Sequence, residues 1–196
     1  MTEGGAGTLG RMTVHVVGIG GSLRADSQSE RALRIALDGA AAAGAKITAI
    51  LGDELVMPFY DPAVPQRAES ARWLVETLRR ADGVLLVSPG YHGTVSGLVK
   101  NALDYIEDLR TDVRPYLHGR AVGCAAVAQG WQATVNTLTA LRACVHSLRG
   151  WPTPLGGAIN SAEVEFDAEG GCSDERAVAT LRTIGTQVTE FAFDQR

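Results

Sequence analysis

Short apolar runs alternate along the chain with longer segments whose apolar residues recur at helical spacing. Five runs are typical of strands, and they cover residues 13–18, 46–51, 83–87, 120–127 and, more weakly, 154–159. Five segments have helical periodicity, and they cover residues 28–43, 68–82, 98–106, 135–148 and 174–193. The run at 83–87 is continuously apolar, which indicates a strand that is covered on both faces.

The regular alternation of strands and helices predicts an α/β domain with a parallel sheet and helices on both faces. We expect a three-layer sandwich with the strand order 2-1-3-4-5, which is the order of flavodoxin-like folds. A chain of 196 residues is long enough for one such domain with a full core. We assign residues 12–196 to this domain and the glycine-rich residues 1–11 to a flexible tail, with Met12 as an alternative start.

A glycine-rich turn separates the first predicted strand from the first predicted helix, and residues 18–27 read GIGGSLRADS. Main-chain N–H groups and the positive end of the helix dipole attract anions at such a turn. Ser22, Ser27 and Ser29 add hydroxyl donors. Arg24 adds a guanidinium group, whose planar fork matches phosphate oxygens. We therefore predict that a phosphate-bearing ligand binds here.

Two common phosphate-binding motifs do not fit this turn. A P-loop requires Lys followed by Ser or Thr after the glycines, and no such pair follows here. A dinucleotide fingerprint requires a third glycine where this chain has Leu23, and an acidic residue about twenty positions further on. Asp53 and Glu54 come later than that. A monophosphate at the switch point of an open α/β sheet remains, and it suggests FMN.

Ser27 also has a purely structural interpretation. With Glu30 it forms the S-x-x-E pattern of a capping box, which closes the N-terminus of a helix. Both roles use the same helix end, and the sequence leaves both open.

Two further loops are predicted at carboxyl ends of strands, where open α/β sheets bind ligands. The loop at residues 88–97 contains Pro89, Tyr91 and His92, and the loop at residues 129–134 contains Trp131. His92 is a candidate proton donor, because its unperturbed pKa lies near neutrality. Its alternative role is only to pack or to form a hydrogen bond, since hydride transfer requires no acid from the protein.

Two motifs together resemble the NADPH-dependent FMN reductase family. The first is G-S-L-R at residues 21–24 with Ser27, and the second is S-P-G-Y at residues 88–91, followed by G-L-V-K-N-A-L-D at residues 97–104. The resemblance covers roughly residues 13–159. It implies an oxidoreductase that passes hydride from NADPH or NADH to FMN and on to a small-molecule acceptor, which is a flavin, a quinone or an azo compound. It also implies a homodimer or homotetramer.

The resemblance also implies which residues bind FMN. The serines and Arg24 of the first motif would hold the phosphate, and the two later loops would border the ring. The predicted cofactor-binding residues are Ser22, Arg24, Ser27, Gln28, Ser29, Pro89, Gly90, Tyr91, His92, Gly93, Gln129 and Gly130. The chain departs from the family where Gly90 and His92 stand in place of the frequent Glu and Asn, and where Trp131 replaces one of two paired glycines.

Composition limits partners and location. The net charge of −4 argues against a nucleic-acid partner, and no apolar stretch approaches the roughly 18 residues of a membrane span. Neither a membrane partner nor a signal peptide is expected. Cys124, Cys144 and Cys172 lack metal-ligand spacing, which predicts buried free thiols, no metal site and a cytoplasmic location.

Other functions stay open at this stage. An FMN-dependent dehydrogenase that acts on a biosynthetic intermediate is compatible with the altered loop at Gly90 and His92. A flavodoxin-type electron carrier is disfavoured by Arg24 and by the modest net charge. A scaffold that has lost its flavin is disfavoured because Ser22, Arg24 and Ser27 are all present.

Overall fold

The computed structural model describes residues 13–169 and 171–196, so the predicted tail at residues 1–11 and Met12 lie outside the described residues. The strands are β1 (His15–Gly20), β2 (Lys46–Leu51), β3 (Gly83–Tyr91), β4 (Thr94–Val95), β5 (Ala121–Ala128), β6 (Trp151–Pro152) and β7 (Gly157–Asn160). The helices are α1 (Gln28–Ala42), α2 (Glu69–Arg80), α3 (Gly97–Asp104), α4 (Trp131–Ser147) and α5 (Glu175–Asp194). Short 3-10 helices cover Gly52–Leu55 and Tyr105–Leu109.

The sheet has the order β2-β1-β3-β5, and β6 and β7 both pair with β5 at the outer edge. All of these pairings are parallel, whereas the two residues of β4 form an antiparallel hairpin with β3. With β6 and β7 counted as one interrupted fifth strand, this is the predicted order 2-1-3-4-5. The flavodoxin-like topology predicted from the sequence is confirmed.

Helices cover both faces of the sheet, as predicted. One apolar core joins the sheet to α1 and α5, and a second core joins it to α2, α3 and α4. β5 is buried along its whole length, because it lies between these two layers. The helix side chains that are most completely buried include Leu33, Ala40, Leu74, Leu78, Leu141, Val145, Leu181 and Val188.

The backbones of α1 and α5 lie in contact where the two helices cross. A Cβ atom added at Gly39 would lie 2.3 Å from the carbonyl oxygen of Arg182, and one added at Gly185 would lie 2.0 Å from that of Ala36. Only glycine permits this approach. The close packing fixes α1, and with it the turn that leads from β1 into α1.

The strand β3 is longer than predicted and takes up part of the predicted loop at residues 88–97. Pro89 pairs in parallel register with Val127 of β5. Pairing with β1 ends at Gly20 and Val87, so Pro89 has no neighbour on that side and its missing N–H group leaves no ladder bond unmade.

Two other predicted boundaries are also wrong. α4 begins at Trp131 rather than at residue 135, which reduces the predicted loop at residues 129–134 to two residues. The fifth strand predicted at residues 154–159 is observed only as β7, and the short strand β6 lies before the predicted start.

The predicted free thiols are confirmed, but only one of them is fully buried. Cys124 is buried in β5, and burial raises the pKa of its thiol to about 12. Cys144 and Cys172 are only partly buried, contrary to prediction, because Cys144 lies on α4, which has one face towards solvent, and Cys172 lies in the irregular segment between β7 and α5. Within the described residues, no helix combines the length and the apolar character that a membrane span requires.

Candidate functional site

A cavity of about 440 Å³ lies where β1, β3 and β5 end, at the carboxyl edge of the sheet. Its volume is within the range of small-molecule sites. Ten of the twelve predicted site residues line it, namely Ser22, Arg24, Ser27, Gln28, Ser29, Pro89, Gly90, Tyr91, His92 and Gln129. The predicted residues Gly93 and Gly130 are not among the lining residues. The sequence interpretation missed Asp26, Val127, Ala128, Ala133 and Ser161.

The turn after β1 lies directly against β3. Gly21 has a φ of +92°, and its N–H group donates to the carbonyl oxygen of Val87 at 3.3 Å. A Cβ atom at the preceding Gly20 would lie 2.1 Å from the same oxygen. The glycines of the motif are therefore needed for the close approach of two strand ends.

Three buried seryl side chains meet at the N-terminus of α1. The Oγ of Ser27 lies 3.0 Å from the Oγ of Ser22 and 3.1 Å from the Oγ of Ser29. The same Oγ accepts the main-chain N–H groups of Ser22 at 3.1 Å and of Glu30 at 3.2 Å. Because a hydroxyl hydrogen can rotate, this cluster can turn its donors towards an anion.

The predicted capping box is only half formed. Ser27 caps α1 through its bond to the N–H group of Glu30, as predicted. The carboxylate of Glu30 accepts from Arg34, the nearer nitrogen at 2.7 Å, and the N–H group of Ser27 donates to the carbonyl oxygen of Arg24 at 3.2 Å. Ser27 is thus a helix cap that also belongs to the cavity wall.

Arg24 and Asp26 form an exposed ion pair in the cavity. Nε of Arg24 lies 3.2 Å from Oδ1 of Asp26, and Nη2 lies 3.3 Å from Oδ2. The side chains are 73% and 64% exposed. The hydrogen bond from Arg24, supported by its positive charge, lowers the pKa of Asp26, so this carboxyl group is ionised at neutral pH.

The side chain of Gln28 has a structural role. Its Nε2 donates to the carbonyl oxygen of Phe166 at 3.0 Å, and its Oε1 accepts from the N–H group of Phe166 at 2.8 Å. Arg31 donates to the same carbonyl oxygen. The amide of Gln28 therefore anchors the segment between β7 and α5 to the first turn of α1.

The hairpin of β3 and β4 brings Tyr91 and His92 to the cavity. Tyr91 is half-exposed, and His92 is exposed at the hairpin tip with a φ of +52°. Both interpretations of His92, as proton donor or as a loop residue, stay predictions. Lys100 and Asp104 of the second motif form an ion pair of 2.6 Å on the exposed face of α3, so they belong to the surface of that helix.

The glycine at position 90 is explained by the position of α4. A Cβ atom there would lie 2.7 Å from Oγ1 of Thr137 and 2.8 Å from Cβ of Ala128. Both neighbours are buried, so a larger residue would push α4 away from β3. The glutamate that is frequent in the family has no room at this position.

A hydrogen-bond network fixes the short loop between β5 and α4. The N–H group of Gly130 donates to Oδ1 of the buried Asn160 at 2.7 Å. Oε1 of Glu163 accepts from Nδ2 of Asn160 at 2.7 Å and from the indole nitrogen of Trp131 at 2.9 Å. The half-exposed indole is therefore held between α4 and the segment that follows β7.

A smaller and more apolar cavity of about 290 Å³ adjoins the first one. The two cavities share Ser22, Arg24, Pro89 and Tyr91. The second is closed by Leu23, which is 61% exposed, and by the N-terminus of α3. The site thus combines a polar end at the serine cluster with apolar surface beside Tyr91.

Comparison with known proteins identifies a family. The family model described as NADPH-dependent FMN reductase matches residues 14–164. An NAD(P)H-dependent FMN reductase of Pseudomonas aeruginosa is 31% identical over 175 residues, which cover 84% of this chain and 87% of that protein. An NADPH azoreductase of Bacillus sp. is 34% identical over 88 residues, which cover 44% of this chain and about half (46%) of that protein.

The fold is shared with a solved flavoenzyme. The NAD(P)H:(acceptor) oxidoreductase FerB of Paracoccus denitrificans superimposes with a TM-score of 0.75 at 18% identity, over 93% of this chain and 99% of that chain. At this identity the likeness shows the fold alone. The family match and the Pseudomonas relative confirm the predicted oxidoreductase class, FMN as the cofactor and NAD(P)H as the electron donor. The chain belongs to the NADPH-dependent FMN reductase family.

Proposed function

We propose that the cavity at the carboxyl edge of the sheet is the FMN site, and that the phosphate binds at the turn between β1 and α1. The observation that carries this proposal is the cluster of three buried seryl hydroxyls, linked through Ser27 by distances of 3.0 and 3.1 Å. A cluster of hydroxyls at a helix N-terminus, with a guanidinium group beside it, matches the charge and the acceptors of a phosphate monoester.

The other end of the cavity suits a flat ring. Pro89, Tyr91 and Val127 supply apolar surface, and the first turn of α4 reaches the same space through Ala133. Bound FMN supplies a ring that accepts hydride from NAD(P)H and returns it to an acceptor. The positive end of the α4 dipole faces this space and favours the negative charge that develops on reduction. The residues of the chain therefore bind and orient the flavin and polarise its ring, and none of them must itself be oxidised.

The acceptor that we propose is a small planar molecule, namely a flavin, a quinone or an azo compound. The azoreductase named among the relatives supports the azo class. Trp131 is our candidate for one wall of the acceptor site, because its indole is half-exposed and held in place by Glu163.

We further propose that residues 12–196 form the single FMN-binding domain and that it acts as a homodimer or homotetramer. Phe59 is 88% exposed on a segment that Asn101 holds through a 2.9 Å bond to the N–H group of Tyr60, and this supports an interface there. Three free cysteines support a reducing, cytoplasmic location.

The test is an absorption spectrum of the purified protein with FMN, recorded before and after anaerobic addition of NADPH or NADH. We expect a flavin band that one of the nicotinamides bleaches, which would also identify the donor. A band that neither nicotinamide bleaches would favour the dehydrogenase or the electron carrier. A protein that binds no FMN would contradict the assignment of the cavity.

A further inference from the structure

The carboxylate of Asp26 is bonded to the guanidinium group of Arg24, which is the side chain best suited to hold a phosphate. Its two oxygens lie beside Nε and Nη2 of Arg24, at 3.2 and 3.3 Å. Arginine forms the same two-pronged contact with phosphate oxygens. Both side chains line the cavity, so an incoming phosphate and Asp26 have access to the same guanidinium group.

We propose that Asp26 is an affinity-determining residue that competes with the FMN phosphate for Arg24. The inference rests on the proposed phosphate site. Asp26 lowers the affinity for flavins that carry a phosphate and leaves the binding of the ring unchanged.

The charges around the turn support competition. Arg24 and Asp26 together carry no net charge, so as a pair they offer little attraction to a dianion. The nearby carboxylate of Glu30 is already held by Arg34 at 2.7 Å, which leaves Asp26 as the acid that contacts Arg24. The Arg24–Asp26 pair is exposed, and exposed pairs are weak enough to exchange partners readily.

A competing carboxylate also has a consequence for cofactor exchange. When FMN leaves, Asp26 takes the place of the phosphate on Arg24, so the guanidinium group is not left without a partner. The residue therefore acts on the dissociation of FMN, and it lies at the phosphate end, away from the part of the site where hydride is transferred.

The experiment measures the affinity of the full chain for FMN and for riboflavin, by quenching of flavin fluorescence, in the wild type and in Asp26→Asn. Riboflavin is the matched ligand because it lacks only the phosphate. We expect the dissociation constant of FMN to fall about two- to fivefold, which corresponds to the free energy of an exposed ion pair. The value for riboflavin should not change, and the gain for FMN should shrink in high salt.

Asp38→Asn is the control, since Asp38 is exposed on α1, the helix that follows the turn of Asp26, and the substitution removes the same charge. It lies roughly 15 Å further along α1, at about 1.5 Å per residue, and it should leave both affinities unchanged. In the double variant Arg24→Ala with Asp26→Asn, the gain of the single substitution should disappear, because no guanidinium group is left to compete for.

Three results would overturn the inference. Weaker FMN binding by Asp26→Asn would mean that Asp26 orients Arg24 for the phosphate. An equal gain for riboflavin would mean that Asp26 acts on the ring or on the fold, and a gain that persists without Arg24 would exclude competition. Failure of the proposed function looks different, because the wild type would then bind neither flavin.

Discussion

An arginine lies at each end of the parallel strands, one at the amino ends and one at the carboxyl ends. The two side chains differ in burial and in their bonding partners. At the edge where β3 and β5 begin, Arg120 is 1% exposed. Its guanidinium nitrogens donate to the carbonyl oxygens of Ala81 at 2.9 Å, Tyr116 at 3.0 Å and Arg79 at 3.0 Å. At the carboxyl edge, the guanidinium group of Arg24 is exposed, and among the described residues it bonds to the exposed carboxylate of Asp26.

The difference separates a group that stabilises the fold from one that is available to a ligand. Arg120 closes the C-terminus of α2, where carbonyl oxygens lack partners within the helix. Burial lowers its pKa to about 10, and the group is still charged at neutral pH. Arg24 can exchange its partner at little cost, because water and Asp26 are the groups that it would lose.

The largest effect that we predict is the loss of stability in Arg120→Met. Methionine fills much of the volume, but it removes three buried charge-assisted bonds. Arg114 still donates to the carbonyl oxygens of Ala81 at 3.0 Å and Arg79 at 3.4 Å, whereas that of Tyr116 loses its charged donor. We expect the free energy of unfolding to fall by about 2–3 kcal/mol, in the range of hydrogen bonds to charged groups. Denaturation by urea measures this change.

The control is Arg110→Met, which removes an exposed arginine whose ion pair with Glu107 spans 3.6 Å. It should change stability by less than about 0.5 kcal/mol. The folded Arg120→Met protein should bind FMN like the wild type. A variant as stable as the wild type would show that the three hydrogen bonds of the buried guanidinium group add nothing to the free energy of unfolding.

The second prediction concerns the other arginine. Arg24→Ala should weaken FMN binding by about 1–2 kcal/mol, roughly five- to thirtyfold, through loss of a charge-assisted contact with the phosphate. Stability should hardly change, because the side chain is exposed. Titration of flavin fluorescence measures the affinity, and riboflavin should bind both proteins equally.

Arg182→Ala, which removes an exposed arginine of α5, is the matched control and should leave FMN affinity unchanged. FMN binding of wild-type strength in Arg24→Ala would place the phosphate away from this turn. The two arginines would then still differ in their effect on stability, but Arg24 would have no role in binding the phosphate.

The sequence predicts the parts of the molecule that depend on local pattern. The sheet order follows from the alternation of apolar and amphipathic segments. The serines and Arg24 could be identified because they are contiguous and lie between a strand and a helix. The start of α4 could not be placed, because residues 131–134 of its first turn read WQAT and follow Gln129 and Gly130, so they look like a continuation of the loop.

The contacts that the sequence did not predict join residues that are far apart in the chain. Gln28 is separated from Phe166 by 138 residues, and its neighbours in sequence suggested a ligand instead. Asp26 stands inside a phosphate motif, where sequence alone does not show that its carboxylate turns back to Arg24. The fit of Gly90 against Thr137 depends on how closely α4 approaches β3, which is a property of the packed fold.

The smallest predicted effect distinguishes two threonines of α4 at the carboxyl edge. Oγ1 of Thr137 is buried and has no hydrogen-bond partner among the described residues. Oγ1 of Thr134, one turn earlier and equally buried, donates to the carbonyl oxygen of Gly130 at 2.8 Å. Thr137→Val should therefore leave stability unchanged or raise it by up to about 1 kcal/mol, because a desolvated hydroxyl is replaced by a methyl group of similar size.

Thr134→Val is the matched substitution and should lower stability by about 1 kcal/mol, since it removes a bond that is made. Urea denaturation of both variants without flavin measures the difference. A loss in Thr137→Val as large as that in Thr134→Val would mean that the hydroxyl of Thr137 has a partner in solution, such as a buried water beneath Gly90. The buried polar groups at the carboxyl edge would then all have hydrogen-bond partners, like those around Arg120. The groups left to bind a ligand there would be Arg24 and the serine cluster.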